Sequence, residues 1–205
     1  MSDNSEFRRF RMALVGPSAS GKTTLLKEIL YKLRGTFHEI HLFSPVAHLQ
    51  EIYKKEIYIK KEHKYEECTD ENFERVYDTI KEKNKDVKKE ILIIVDDALK
   101  CSIFKSISKH ILKMRHEGIS IIILAQYLKG VDPIIRSNIS HLILFQFDNR
   151  GERLKLRDEY GDKFIESYDE FTQKPYGYVY ADFMKNILDP LRYLNHIPKS
   201  LKYHI

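Results

Sequence analysis

The segment Gly16-Pro17-Ser18-Ala19-Ser20-Gly21-Lys22-Thr23 reads G-x-x-x-x-G-K-T, a spacing built to hold phosphate. Its glycines let successive backbone N–H groups curl around an anion, and a helix opening at Lys22 adds the positive end of its dipole. In this pattern the lysine reaches the β- and γ-phosphates and the threonine hydroxyl binds Mg²⁺. Gly16, Pro17, Ser18, Ala19, Ser20, Gly21, Lys22, Thr23 and the adjoining Thr24 are therefore the expected contacts for a nucleoside triphosphate with Mg²⁺. The flanks agree. An apolar run, Met12-Ala13-Leu14-Val15, precedes the loop, and Leu25, Leu26, Ile29, Leu30 and Leu33 follow at the spacing of a helix with one buried side.

Three further positions complete a hydrolytic constellation. Ile91-Leu92-Ile93-Ile94-Val95 runs into Asp96-Asp97, the Walker B arrangement. Asp96 would enter the Mg²⁺ shell opposite Thr23, and Asp97 would orient or deprotonate the attacking water. A pair of aspartates after a strand also serves as a helix cap. Residues 121–125 end in Gln126. Its amide would meet the γ-phosphate and the attacking water if that strand lies between the other two. Arg136, within Val131-Asp132-Pro133-Ile134-Ile135-Arg136-Ser137-Asn138, is a candidate arginine finger, with Arg150, Arg153 and Arg157 as rivals. Asp132 and Asn138 read equally well as helix caps.

Positioning these groups calls for alternating strands and helices. Strands are expected at residues 10–15, 38–43, 91–95, 119–125 and 141–147, with a short extra one at 56–60. Helices are expected at 22–33, around Phe73, Val76, Tyr77 and Ile80 with Thr69 or Asp70 as cap, around Phe104, Ile107, Ile111 and Met114 up to Gly118, and at 150–160 and 162–170. Residues 176–181 read as a strand able to pair with 184–188, placing Tyr176, Tyr178 and Tyr180 on one face, for packing or for stacking on single-stranded DNA. All-apolar runs such as Ile91–Val95 mark strands buried on both faces. The expectation is an α/β fold with a mainly parallel sheet and its ligand at the strands' carboxyl ends.

The chain has 205 residues, and 42% hydrophobic with 32% charged residues is an ordinary globular balance. One domain spanning 1–205 is expected, with a core at about 7–150 and a helical and β extension at about 151–205. No apolar run is long enough to span a membrane, and the N-terminus lacks the basic-then-apolar layout of a signal peptide. Cys68 and Cys101 fit no metal spacing and read as packing residues of a reducing compartment. The nine histidines read as core or surface residues. Lys and Arg number 35 against 30 Asp and Glu, a net +5 that permits nucleic acid as partner without requiring it.

In order along the chain, F-R-M-A-L-V-G-P-S-A-S-G-K-T, H-L-F-S-P, I-L-I-I-V-D-D, I-I-I-L-A-Q and D-P-I-I-R-S-N resemble the DNA-packaging ATPases of large double-stranded DNA viruses and virophages. These are the poxvirus-type branch of the FtsK–HerA superfamily. The resemblance covers roughly residues 7–150. It implies a RecA-like P-loop NTPase core of the additional-strand type, acting as a pentameric or hexameric ring. ATP hydrolysis would drive duplex DNA into a preformed capsid, with a capsid or portal protein as partner. The setting would be the host cytoplasm, a viral factory or the virion rather than the secretory route. Carried over, Lys22 and Thr23 are the phosphate and Mg²⁺ ligands, Asp96 the Walker B acid, Gln126 the sensor and Arg136 the finger. One departure stands out: the superfamily commonly has Asp-Glu where this chain has Asp96-Asp97, and the shorter side chain reduces the reach of Asp97 to the water. Two other classes share the loop: a nucleoside or nucleotide kinase, which needs an arginine-rich lid and an acceptor pocket, and a nucleotide-ordered assembly switch without turnover.

Overall fold

The computed structural model describes residues 9–85, 89–97, 101–147 and 150–198. Strand β1 (Arg11–Val15) leads through the phosphate loop into helix α1 (Lys22–Lys32), followed by β2 (Glu39–Phe43) and a short edge strand β3 (Lys64–Tyr65). Then come α2 (Asp70–Asn84), β4 (Ile91–Val95), α3 (Phe104–Met114), β5 (Ile119–Ala125), α4 (Pro133–Ser137) and β6 (His141–Phe145). Helices α5 (Arg150–Tyr160) and α6 (Asp162–Phe171) precede β7 (Tyr178–Asp182) and β8 (Tyr193–Leu194).

All eight strands form one sheet in the order β3-β2-β4-β5-β1-β6-β7-β8. The pairs from β3 through β6 are parallel, and β7 and β8 close the far side antiparallel. Strand β5 thus sits between β1 and β4, the place the resemblance requires for Gln126. Residues beyond 150 do not form a separate layer, because β7 extends the same sheet from β6.

Pleating explains why the central strands are apolar at every residue. Ala13, Val15, Ile91, Ile93 and Val95 point into a core shared with α2 and α3, while Met12, Leu14, Leu92 and Ile94 point to the opposite core against α1. All of these side chains are buried, and each one larger than Ala13 is worth roughly 1.5–3 kcal/mol before chain entropy is counted. The helix signals act locally. Thr69 caps α2 by accepting from the Asn72 backbone N–H. Asp132 does the same at α4, with Pro133 in its first turn. The left-handed Gly118 ends the turn after α3.

Three expectations fail. Residues 56–60 form no strand: Ile52–Glu56 is a π-helical turn, and the extended stretch after it buries Ile57 and Ile59 against the α1-side core while Tyr58 faces outward. That alternation of burial mimics a strand, but the edge position beside β2 goes to Lys64–Tyr65. Nor do residues 184–188 pair with β7. Asp182 Oδ1 accepts from Met184 N and Asn186 Oδ1 from Leu188 N, so side-chain turns curl the chain and leave Met184, Ile187 and Leu188 exposed. The partner of β7 is Tyr193–Leu194. Tyr176 lies outside β7, in a left-handed conformation with φ 62°, so the expected alternation keeps only Tyr178 and Tyr180 in the strand. The fully buried Tyr180 is a core residue.

Candidate active site

Because the strands from β3 to β6 run parallel, their carboxyl ends share one edge of the sheet, and every polar group of the constellation except Arg136 lies there. Gly16 leaves β1 by donating its N–H to Ala125 O at 3.1 Å, which ties the loop to the end of β5. A methyl group at Gly16 would stand 2.7 Å from Phe145 Cβ and 2.8 Å from Ser20 Oγ, so only glycine fits. Gly21, at φ 98°, takes the left-handed turn into α1, and Ala19 is held at φ 61°. Pro17, Ser18, Ala19 and Thr24 are exposed, and Thr23 stands half-buried in the first turn of α1.

Lys22 donates to Gly16 O and Pro17 O, both at 2.7 Å, engaging carbonyls of its own loop. Burial pulls its pKa down, opposed by the charges of Asp96 and Asp97, so all three side chains share one electrostatic environment. Strand packing gives the same answer: β1 and β4 are separated only by β5, hence about 10 Å apart.

Asp96 is buried at the tip of β4 and held from three directions. Its Oδ2 accepts from Tyr53 Oη at 2.8 Å and Gln50 Nε2 at 3.2 Å, and its Oδ1 accepts from the Asp97 backbone N–H at 2.9 Å. Burial still raises its pKa, with these three hydrogen bonds opposing the rise. Tyr53 is itself pushed upward, first by burial and then by the neighbouring carboxylate, so its hydroxyl stays a donor. Asp97 adopts a left-handed φ of 54° and accepts from Gln126 Nε2 at 3.3 Å. Asp97 of the Walker B pair and the amide at the end of β5 therefore meet. Nothing in the sequence marked Gln50 and Tyr53: they lie in an unpatterned segment and reach Asp96 only because that segment folds back over β4. Buried Cys101 lies beneath the pair, its thiol 3.7 Å from Asp97 O.

Ser20 Oγ is buried within the loop without a hydrogen-bond partner, and Lys22 of the same loop engages Gly16 O. An orphaned hydroxyl and an ammonium in a backbone cradle fit a polyphosphate. Beside them a cavity of about 650 Å³ is lined by Gly21, Lys22, Thr23, Phe145, Tyr176 and Tyr178, among others. Tyr176, 73% exposed, stands over Gly21.

Arg136 is placed differently. Its Nε lies 3.2 Å from Glu159 Oε1, and its Nη1 donates to Val131 O at 3.1 Å and Leu128 O at 3.5 Å, bracketing α4 to α5. Arg153 pairs with Asp169 and Arg157 with Asp162, and the side chain of Arg150 lies outside the described residues.

This arrangement is that of a P-loop NTPase. The model of the poxvirus A32 protein family matches residues 3–156. The chain belongs to that family. Comparison with curated proteins gives no match. Among solved structures, B204, the DNA-packaging ATPase from Sulfolobus turreted icosahedral virus, is 19% identical, with 87% of this chain and 95% of that one covered at a TM-score of 0.69. The genome-packaging NTPase B204 from Sulfolobus turreted icosahedral virus 2, in complex with AMP, is 20% identical over 86% of this chain and 93% of its own, at 0.68. ATPases 2 and 3 of EssC from Geobacillus thermodenitrificans are 14% identical over 75% of this chain and 34% of theirs, at 0.54. At these identities the likeness establishes the shared P-loop fold. No helix among the described residues is long and apolar enough to cross a membrane.

Proposed function

We propose that this chain is an ATP-hydrolysing motor that moves double-stranded viral DNA into a preformed capsid, working as a ring of five or six subunits. The observation that carries the reading is the meeting of the Lys22 loop with Asp96, Asp97 and Gln126 at one sheet edge. Membership in the A32 family and the fold shared with B204, named a DNA-packaging ATPase, support it.

In this reading the backbone N–H groups of residues 18–24 and the Ser20 hydroxyl hold the phosphates, and Lys22 exchanges its two loop carbonyls for phosphate oxygens. Thr23 and Asp96 would hold Mg²⁺, which when bound neutralises charge developing on the phosphates. Asp96 suits that role through its position at the strand tip, with Tyr53 and Gln50 fixing its orientation. Asp97 takes the proton of the attacking water, and Gln126, bonded to Asp97, orients that water. Tyr176 forms a face on which the nucleotide base stacks beside the loop.

For Arg136 the pair with Glu159 favours a second role, bracing α4 against α5 within its own subunit. To act as a finger on a neighbouring subunit's nucleotide it must release that carboxylate. Grip on DNA falls to outward lysines of residues 51–64, namely Lys54, Lys55, Lys60 and Lys61, and is directed at phosphates. Residues 85–89, of which 86–88 lie outside the described residues, and the basic tail, which from 199 also lies outside them, are the other candidates for this grip. The remaining partner is a capsid or portal protein, in the host cytoplasm or virion.

The deciding measurement is ATP turnover with and without duplex DNA. Mg²⁺-dependent hydrolysis that DNA stimulates, and that Lys22→Ala abolishes, is expected. Phosphoryl transfer to a nucleoside would instead make the chain a kinase, and tight binding without turnover would make it an assembly switch.

A further inference from the structure

Two of the nine histidines converge at the edge of the sheet. Strand β3 pairs with β2 in the register Leu42 with Lys64 and Phe43 with Tyr65. One step earlier in that register stand His41, on β2, and His63, at the end of the turn Lys61–His63. Their rings stack with centroids 4.1 Å apart. Glu39 precedes His41 by two residues and so shares its face of the strand. His41 Nε2 lies 3.2 Å from Glu39 Oε2, and His63 Nε2 lies 4.0 Å from the same oxygen.

We propose that Glu39, His41 and His63 bind one divalent transition-metal ion of the zinc type, with water as fourth ligand. One donor atom from each residue falls within 4.8 Å of the others. Bonds of about 2.1 Å in tetrahedral geometry put ligand atoms about 3.4 Å apart, so the His63–Glu39 gap closes by roughly half an ångström as the carboxylate rotates and the partly exposed His63 ring turns out of its stack on His41 to aim a nitrogen at the ion. Two imidazoles and a carboxylate are a zinc donor set. His41 also has the outer contact such a ligand uses. Its Nδ1 lies 3.1 Å from Tyr65 Oη, which sets the ring so that Nε2 faces Glu39 Oε2. His41 is buried while Glu39 and His63 are partly exposed, leaving solvent access on the open side. Lys83 on α2, and Arg75 near Tyr65, are positive charges that the ion must tolerate.

The position gives the ion a structural consequence. The chain leaves β2, passes through Gln50 and Tyr53, both bonded to Asp96, and returns at His63. An ion joining His63 to Glu39 and His41 closes that excursion at its base and steadies the segment holding Asp96.

The test is zinc titration of chelator-stripped full-length protein, in competition with a chromophoric chelator. One zinc per chain is expected. Glu39→Gln and His63→Ala should each weaken binding at least about 10-fold while circular dichroism stays that of the parent. Zinc should also slow hydrogen exchange in residues 44–60 of the parent and leave it unchanged in Glu39→Gln. No stoichiometric binding, or equal affinity in the parent and a folded variant, would overturn the site. Should His63→Ala fail to fold, Glu39→Gln alone decides.

Discussion

Tyr53→Phe isolates the contact that the phosphate-loop pattern does not announce. The ring of Tyr53 is fully buried in the α1-side core, so phenylalanine keeps the packing and removes one of three donors to Asp96. A hydrogen bond to a charged group contributes about 1.5–3 kcal/mol. Gln50 stays on the same oxygen, so a loss near 1.5–2 kcal/mol is expected at neutral pH, or roughly 3–8 °C in Tm for a domain of this size. The pH dependence follows from Asp96. Burial raises its folded pKa, so its contribution to stability is fully present below the ordinary carboxylate value and is lost as pH rises through the folded one. The Tyr53 hydroxyl opposes that loss by favouring the charged form, and removing it lifts the Asp96 pKa further. The destabilisation by Tyr53→Phe should therefore grow as pH rises from about 4 towards 7. Urea unfolding of both proteins at several pH values measures it. A loss below about 0.5 kcal/mol, or one independent of pH, would refute the claim that this hydroxyl stabilises an ionised Asp96.

Asp97→Asn should leave ATP bound and lower kcat by about 10²–10⁴-fold, the range for a lost general base, measured by single-turnover hydrolysis; unchanged turnover would move the base elsewhere. Tyr176→Ala should raise the Kd for a fluorescent ATP analogue by about 5- to 150-fold, from base stacking worth about 1–3 kcal/mol, and leave the Kd for pyrophosphate unchanged. Equal weakening of both ligands would make Tyr176 a loop support instead. Mixing Arg136→Ala with Lys22→Ala subunits separates the two roles of Arg136. Recovered turnover in mixed rings is expected of a finger acting across subunits, whereas no recovery together with a lowered Tm of Arg136→Ala assigns it to bracing α4.

Much of this site was legible because its chemistry is local. A phosphate loop is written in consecutive residues, with glycine where Phe145 crowds position 16 and where φ is positive at 21. The runs Ile91–Val95 and Ile119–Ala125 announce strands buried on both faces, and their last residues carry Asp96 and Gln126 to the same edge once the strands are parallel. The misplaced strand at 56–60 fails for a related reason. Alternating burial records which side of a segment is apolar, and Ile57 and Ile59 obey it while packing into the α1-side core instead of pairing in a sheet.

The chain's own order of residues determined the loop, the acidic strand tip and the alternation of strands with helices, because each depends on neighbours a few positions apart. Tertiary structure alone decided which strands adjoin, that Tyr53 and Gln50 close over Asp96, that Glu159 holds Arg136, and that His63 arrives beside His41. Those side-chain contacts join residues 22 to 46 positions apart, and pairs so distant are set by sheet register and by how segments fold across the sheet, which no short-range pattern encodes.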